Sequence, residues 1–518
     1  MGARPLVARV TAAAERERAG LRRVLRGGAV NMAGAVVGAA LNLAVIVTIT
    51  RAFSQETAGL LFSATSVFLI AAVVANLGAS DGLVYFIARM RVFGEPGGVP
   101  RLLRTAVAPA VLVACALAVL LLVCAGPVAR GLGGDGAEVY LRLLAVFLPF
   151  AVLADTALAA TRAHHDMAGT VLVDKVGRPL AQLALVAGAA LSGAAGLLAL
   201  AWAGPYLPAA VVAWFWLGRV VRRAAPEAGG ADGAPGFTGT AVVQETVERV
   251  DARTFWSFSL PRAVAAVAQM GVQRGGVVLV ALLSGLTGAA VFTAATRVMV
   301  VGQFGTQAVL YAAQPRFAEQ LATGDHAGVR ALYQAGTAWL VCLLWPLYLS
   351  VLVFAPEVMR LFGPEYAAGA TALTVVCAGQ LTAAALGMGD LVLTMTGLTR
   401  LNLVNNVLSL AANVLVCVLL VPVAGAAGAA VALVAAMLVR KLLPLWQLRS
   451  RVVLHPFSRP VLAATASALT WFGALPLALE ALLGGGIATL AMAVASGAAG
   501  HLVTVWSLRG LLGLGPRR

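Results

Sequence analysis

Charged residues are scarce in this 518-residue chain. Asp, Glu, Lys and Arg make up 11% of it, whereas 61% of the residues are hydrophobic. Soluble globular domains carry about 25% charged residues. This composition excludes a soluble or a disordered protein, and it places the long apolar runs in a lipid bilayer.

Cysteine and histidine are too few and too scattered for a disulfide framework or a metal site. All five cysteines lie inside apolar runs without a CxxC pair, so we expect them to be small core residues. His164, His165 and Asp166 are adjacent, but no further ligand accompanies them in their short loop. The sequence predicts neither a metal site nor a cofactor.

Catalytic features are missing as well. The sequence contains no HExxH or P-loop pattern. A membrane glycan polymerase or ligase needs a large extracytoplasmic loop for its catalytic groups. The longest loops predicted on that side, at about 127–138 and 357–370, are short. We therefore expect a transporter and not an enzyme.

Apolar runs of about 20 residues, the length that crosses the hydrocarbon core, recur along the chain. They predict an all-α polytopic membrane protein with about fourteen transmembrane helices. The first run, Gly27–Thr50, is too long for the apolar core of a cleaved signal peptide, so it is counted as helix 1. The predicted order is a basic cytoplasmic tail at 1–26, helices 1–6 at 27–217, a cytoplasmic linker at 218–256, helices 7–12 at 257–443, helices 13–14 at 460–506 and a second cytoplasmic tail at 507–518.

The net charge of +16 is concentrated at predicted helix ends on one side of the membrane. The exceptions are Arg51, Arg130, Arg142 and Arg360 on the outer side, and Arg262, Arg274 and Arg297 within the membrane. This distribution follows the positive-inside rule and predicts cytoplasmic termini. The preference for Arg over Lys, with abundant Ala and Gly, indicates a bacterial cytoplasmic membrane protein. The positive charge reflects topology and attraction to membrane lipid, so no nucleic-acid partner is expected.

An internal repeat supports the division after helix 6. The matching pairs are Ser54–Thr65 with Ser284–Ala295 at an offset of 230, Asp155–Thr161 with Asp390–Thr396 at 235, and Ser192–Gly196 with Ala424–Gly428 at 232. Two six-helix units in the same orientation imply a pseudo-two-fold axis along the membrane normal, as in transporters that rock about a central site. Helices 13 and 14 are then an addition.

Several short motifs occur in the order and spacing of a known family. They are Thr50–Gly59, Asn76–Gly82, Phe258–Arg262, Phe292–Arg297, Leu361–Tyr366 and Leu419–Ala430. Over roughly 22–449 the chain resembles the polysaccharide-transporter (O-antigen, Wzx-like) branch of the multidrug/oligosaccharidyl-lipid/polysaccharide (MOP) flippase superfamily. The resemblance implies two pseudo-symmetric six-helix lobes around a central cavity, alternating access, and export of a lipid-linked glycan. Other polysaccharide-assembly proteins are candidate partners.

Arg274 and Arg297 are the leading site candidates. They lie symmetrically about the predicted turn at Ser284–Thr287, so they share a membrane depth. A guanidinium facing lipid costs ~2.5–3.5 kcal/mol on insertion scales, and helices 7 and 8 contain no carboxylate to pair with it. We expect the pair to hold the pyrophosphate of a polyprenyl-linked glycan. The alternative is a structural bond to a helix carbonyl or to a carboxylate elsewhere.

The repeat favours a ligand site. At the offset of 230, Arg274 and Arg297 correspond to Ala44 and Val67, so the buried cations belong to the second half alone. If the fold that the two halves share required buried cations at these positions, both halves would contain them.

Other polar residues of helices 7 and 8 extend the candidate site. Arg262, near the predicted cytoplasmic mouth, meets either the substrate headgroup or lipid phosphate. Gln273 and Gln303, with Gln269 and Gln307, are candidate sugar ligands, and interhelical hydrogen bonding is the alternative.

Three carboxylates at predicted cytoplasmic helix ends, Asp81, Asp155 and Asp390, are candidates for ion coupling, although solvated interface charges are the favoured interpretation. Drug-extruding relatives often use an acidic residue in helix 1, and Gly27–Thr50 has none. The predicted function is translocation of a polyprenyl-pyrophosphate-linked oligosaccharide or polysaccharide precursor. The alternatives are a lipid II flippase or a multidrug or cation antiporter of the same superfamily.

Overall fold

A computed structural model describes residues 33–92, 98–132, 136–164, 166–224 and 251–510. Regular secondary structure in these ranges is helical throughout. Twelve of the helices are long and apolar enough to cross a membrane. The predicted all-α membrane fold is confirmed, whereas the count of fourteen spans is not.

In its described residues, the first half of the chain forms nine α-helices and one π-helical segment, besides a short 3₁₀ helix at Ala195–Leu197. They are α1 Ala33–Ala52, α2 Gln55–Asn76, α3 Ala79–Val92, α4 Val99–Val123, α5 Ala125–Leu132, α6 Ala137–Ala163, the π-helical Thr170–Gly177, α7 Arg178–Leu191, α8 Leu198–Ala203 and α9 Tyr206–Ala224. Leu77 and Gly78 separate α2 from α3 with positive φ angles of 52° and 72°.

The second half begins with α10. Its elements are α10 Ala252–Met270, the π-helical Gly271–Gly275, α11 Gly276–Ser284, α12 Leu286–Thr296, α13 Val298–Ala322, α14 His326–Val353, α15 Ala355–Arg360, α16 Ala370–Ala385, α17 Gly389–Met395, α18 Thr399–Leu448, α19 Arg459–Leu469, the π-helical Thr470–Ala474, α20 Leu475–Leu483 and α21 Ile487–Ser507. Of the predicted linker, 218–256, the part up to Ala224 and the part from Ala252 are helical, and 225–250 lies outside the described residues. The predicted tail at 1–26 also lies outside them.

Two places account for the difference between twelve and fourteen spans. Predicted helices 11 and 12 form one continuous element, α18, which bends at Gly425, where φ is 52° and ψ is −128°. Predicted helix 5 is present as Thr170–Gly177 plus α7, but it is absent from the twelve because Asp174, Lys175 and Arg178 lower its apolar character.

The two halves meet along α2 and α12, which pack against each other. Small residues allow this contact: a Cβ atom on Gly59 would lie only 1.9 Å from the carbonyl oxygen of Leu286. Gly34 and Gly38 of α1 face the Val171 side chain and the Lys175 carbonyl of the π-helical segment, so α1 packs closely against it. Helices α19 and α21 attach to the second half through α14.

The cysteines depart in part from the prediction of core residues. Cys342, Cys377 and Cys417 are buried, but Cys115 is exposed on α4 and Cys124 is half-buried. The exposed face of α4 is apolar from Ala108 onwards, so Cys115 lies on a lipid-facing surface, where a small apolar side chain is equally acceptable.

Candidate functional site: a cationic cavity between α1 and α13

Arg274 lies on the π-helical turn Gly271–Gly275, between α10 and α11. Such turns are rare inside α-helices and recur at functional sites. Gly271 lets this turn lie close to α18, since a Cβ atom there would be 2.7 Å from the Leu410 side chain. The sequence gives no sign of the turn because it lies within one long run of predicted helix.

Arg297 lies where α12 ends and α13 begins. Its N–H donates to the carbonyl of Ala294, and its own carbonyl accepts from the N–H of Val300, both over 3.1 Å. These bonds span three residues instead of four, so the helix is interrupted locally. Irregular backbone at membrane depth is tolerated where it is buried in protein or lines a water-filled cavity.

Arg274 and Arg297 line one cavity of about 360 Å³. Its walls are α1, the segment from Asp174 to Arg178, the π turn at Arg274 and the start of α13. Gln273 and Gln303 line the same cavity. The structure therefore brings together four of the five predicted substrate-binding residues.

The cavity carries an excess of positive charge. Asp174 is the carboxylate in its lining, and it already pairs with Arg178, whose Nη2 lies 3.0 Å from Oδ1. Lys175, Arg274 and Arg297 form no ion pair with any described residue. Three cations thus line the cavity without an ion-pair partner in the described part of the chain.

Arg297 is also short of hydrogen-bond partners. Its Nε is buried and has no acceptor among the described residues. The charge of Arg274 lies near enough to act unfavourably on it. Two like charges held together out of bulk water favour an anion between them.

Arg262 lies apart from this cavity. It is exposed on α10, and its guanidinium stacks over the ring of Phe258, 3.8 Å from the centroid. Both partners of this cation–π contact lie on the same helix. Gln269 lines a neighbouring cavity, and Gln307 lies on an exposed face of α13.

The three candidate carboxylates differ in their surroundings. Asp390 pairs with Lys441, whose Nζ lies 3.2 Å from Oδ1. Asp155 lines a cavity of about 340 Å³ in the first half, and its Oδ2 accepts hydrogen bonds from Ser80 Oγ at 2.7 Å and Asn76 Nδ2 at 2.8 Å. Asp81 is exposed at the edge of that cavity.

Ser80 lies in a pattern that matches a hydrolase motif. Gly78, Ser80 and Gly82 have the GxSxG spacing. In hydrolases this pattern joins a strand to a helix, whereas here it joins α2 to α3, and the Ser80 hydroxyl donates a hydrogen bond to Asp155. The arrangement is not that of a nucleophile elbow.

Sequence reasoning missed the contribution of the segment before α7. Lys175 and Arg178 fit the positive-inside pattern and were therefore attributed to the cytoplasmic side, but they line the cavity beside Arg274. Asp174 and Arg178 are four residues apart, the spacing of an ion pair on one helical face. This spacing was the feature of the sequence that could have indicated an ion pair here.

Comparison with known proteins agrees with this architecture. A family model described as "Polysaccharide biosynthesis protein" matches residues 24–320. No curated protein shows significant sequence similarity to the chain.

Solved structures share the fold at low sequence identity. The lipid II flippase MurJ, in an inward closed conformation, is 11% identical with a TM-score of 0.66, over 94% of this chain and 100% of MurJ. An inward-facing multidrug resistance MATE transporter of the MOP superfamily is 15% identical with a TM-score of 0.63, over 80% and 94% of the two chains. A MOP superfamily transporter from Pyrococcus furiosus is 16% identical with a TM-score of 0.53, over 83% and 95%.

The family model covers more than half of the chain, and the fold neighbours are membrane transporters. The chain is therefore a multi-pass membrane protein that belongs to the polysaccharide biosynthesis protein family, and it shares its fold with the lipid II flippase MurJ and with transporters of the MOP superfamily.

Proposed function

We propose that the chain translocates a polyprenyl-pyrophosphate-linked oligosaccharide or polysaccharide precursor across the bacterial cytoplasmic membrane, with both termini in the cytoplasm. The observation that carries this proposal is the cavity in which Arg274 and Arg297 lie without a protein counter-charge. Each phosphate of a pyrophosphate diester carries negative charge, and a guanidinium binds phosphate oxygens bidentately. The pyrophosphate would replace the missing counter-ion.

The walls of the cavity suit a substrate with an anionic head and an apolar tail. α1 presents Ala35, Ala39 and Ile46 to the cavity, while Arg274 and Arg297 come from the π turn and the start of α13. The headgroup would bind to Arg274 and Arg297 while the polyprenyl chain stays in the bilayer. Rocking of two lobes about this site would then expose it to the other leaflet, as in parallel-repeat transporters.

A lipid II flippase is the second candidate, because lipid II offers the same pyrophosphate chemistry and MurJ shares the fold along almost the whole chain. A drug or cation antiporter is less compatible. A cationic substrate would be repelled by Arg274, Arg297 and Lys175, and the described part of α1 offers no carboxylate to bind it.

The test is glycan export in the host whose chromosomal copy of the gene has been deleted. Arg274→Ala and Arg297→Ala should each abolish surface glycan and cause the lipid-linked precursor to accumulate, while protein levels stay normal. Removing one charge-assisted contact costs about 1.5–3 kcal/mol, which is roughly a 10- to 100-fold loss of affinity.

Arg142→Ala is the matched control, because Arg142 is an exposed arginine that pairs with Glu138 outside the cavity. It should support export at the normal level. Normal export by both cavity variants would refute the anion site. Growth of a host depleted of its lipid II flippase, sustained by this chain, would favour the second candidate instead.

A further inference from the structure

A second, smaller cavity lies next to the cationic one, within the second half of the chain. It measures about 150 Å³ and lies between α10, α13, α14, α16 and α18. Gln273, Met299, Gln303 and Leu433 line both cavities, so the two are contiguous. A ligand bound at Arg274 and Arg297 can therefore extend into it.

Side-chain amides dominate the polar lining of this smaller cavity, hereafter the amide cavity. They are Gln269, Gln273, Gln303, Gln380 and Asn406. Four of them form no hydrogen bond with any described residue, and the Gln380 amide reaches only the sulfur of Met437, at 3.9 Å.

Nearby amides that serve packing behave differently. Asn405 and Gln447 exchange two hydrogen bonds, 2.9 and 2.8 Å long, between the two arms of α18. Asn402 donates to Thr394 Oγ1 over 3.1 Å. These three amides are paired within the protein, whereas four of the amides that line the cavity are not. Gln269, Gln273 and Gln303 are exposed, and Gln380 and Asn406 are half-buried, so their amide groups are open to water or to a ligand.

The repeat shows that these amides are not part of the shared backbone plan. At the offsets of 230 and 235, Gln269, Gln273, Gln303 and Gln380 correspond to the apolar residues Ala39, Leu43, Val73 and Ala145. The amides belong to the second half alone, like Arg274 and Arg297. Both groups therefore fit one asymmetric ligand.

Two cations at the far end of the amide cavity, Arg440 and Lys441, lie near one carboxylate, Asp390. Lys441 lines it but is bound to Asp390 and to the carbonyl of Gly387, 3.2 and 2.9 Å away. Arg440 also lies near enough to Asp390 for their charges to interact. The neutral amides therefore set the chemistry of the lining.

The geometry points to the amide cavity as the subsite for the first sugar of the lipid-linked glycan, an uncharged ring bearing hydroxyl or acetamido groups. Each amide offers donors and an acceptor, which match a hydroxyl or an acetamide. Pockets for drug-sized ligands start at about 300 Å³, so a cavity half that size fits one sugar residue. This assignment rests on the proposed function, since the pyrophosphate at Arg274 and Arg297 places the sugar.

Equilibrium binding to the purified full-length chain tests the assignment. The reference probe is the methyl ester of farnesyl pyrophosphate, a pyrophosphate diester without a sugar. The comparison probes are farnesyl-pyrophosphoryl-N-acetylglucosamine and farnesyl-pyrophosphoryl-galactose, which have the same charge. The wild-type chain should bind at least one sugar probe about tenfold more tightly than the reference.

The variant Gln269→Leu/Gln380→Leu alters residues that line only the amide cavity. It should lose the preference for sugar and keep its affinity for the methyl ester. Gln307→Leu, an exposed amide that lines neither cavity, should behave as wild type. A wild-type chain that binds all three probes equally, or a double variant that keeps the preference, would overturn the assignment.

The results that would refute the proposed function differ from those that would refute the amide subsite. The proposed function fails if the methyl ester does not bind to the wild-type chain, or if Arg274→Gln and Arg297→Gln leave its affinity unchanged. Binding of the methyl ester that depends on both arginines, without any preference for sugar, would leave the proposed function standing and remove the amide subsite alone.

Discussion

Arg51 and Leu361 join the two halves of the chain: Arg51 Nε donates to the Leu361 carbonyl over 2.8 Å, and Nη2 donates to the neighbouring Arg360 carbonyl over 3.3 Å. The two carbonyls lie at the C-terminal end of α15, where the aligned peptide dipoles favour a cation. Near the start of α2, the backbone of Gly59 touches that of Leu286. Arg51 thus adds a second bond between the halves, close in sequence to the tight α2–α12 contact.

Arg51→Ala should weaken the contact between the two halves of the chain. Arg51 is exposed, so we take about 1 kcal/mol for the loss of its two bonds, which changes the population of an open form about fivefold. The readout is modification of an Asn42→Cys probe in the cavity by a membrane-impermeant thiol reagent added from outside. The exposed Cys115 is replaced by Ala beforehand.

The modification rate should rise severalfold with Arg51→Ala. Arg142→Ala, also predicted to be on the outer side but paired only with Glu138, should leave it unchanged. An equal rate in the Arg51→Ala and Arg51 proteins would show that the bond does not hold the halves together.

Gly59→Ala should destabilise the fold, although Gly-to-Ala changes in helices normally stabilise by about 1 kcal/mol. The added Cβ would lie 1.9 Å from a backbone oxygen, so α2 and α12 must separate. Overpacking of this kind costs about 1–3 kcal/mol. Thermal unfolding of the purified chain should show a lower Tm.

Gly188→Ala in α7 is the control for Gly59→Ala, because no atom lies within 4 Å of the Cβ that it adds. Its Tm should be unchanged or higher. A Gly59→Ala protein as stable as Gly188→Ala would mean that the two helices can move apart at no cost.

Hydropathy was enough to predict the fold class because each apolar run of about 20 residues has few alternatives to a membrane helix. The breaks inside those runs could not be predicted. The π turn at Arg274 and the interruption at Arg297 lie inside long helical runs that contain no proline at these positions.

The candidate site could likewise be predicted only in part from the sequence. Symmetric spacing about a turn was enough to predict that Arg274 and Arg297 share a depth, and the structure places them in one cavity. Lys175 and Arg178 look like ordinary cations at a helix end until α1 and α13 enclose them. Whether an amide is paired, as Asn405 is, or free, as Asn406 is, depends on neighbours more than thirty residues away.

Asp174→Asn should strengthen anion binding in the cavity. The change frees Arg178 from its 3.0 Å ion pair and adds a further unpaired cation beside Arg274. The pair is partly exposed, so its loss should cost only about 1 kcal/mol of stability. Affinity for the farnesyl pyrophosphate methyl ester should rise severalfold and fall more steeply with salt.

Glu138→Gln is the matched control for Asp174→Asn. It breaks the other four-residue-spaced carboxylate–arginine pair, Glu138 with Arg142, which lies outside the cavity. Its probe affinity should equal that of the wild type. If both variants bind alike, the cavity charge does not control anion affinity.

Asp390 and Asp155 occupy matching positions in the repeat. We expect neutralisation of Asp390 to lower stability and neutralisation of Asp155 to affect ion coupling instead. Asp390→Asn leaves Lys441 without its carboxylate in a mostly buried site, where the two side chains are only 23% and 15% exposed. Loss of one partner of such a pair should cost about 2 kcal/mol. The double variant Asp390→Asn/Lys441→Met should recover most of the Tm and retain transport.

Asp155 has hydrogen-bond donors but no ion pair among the described residues, and it lines a cavity. A carboxylate in this setting is free to bind a proton or a sodium ion. Asp155→Asn should therefore preserve folding, while transport into proteoliposomes should no longer respond to an imposed proton or sodium gradient. The Asp390→Asn/Lys441→Met protein should still respond. If Asp155→Asn responds normally and the Asp390 double variant does not, the coupling role belongs to Asp390, and the ion pair with Lys441 is part of it.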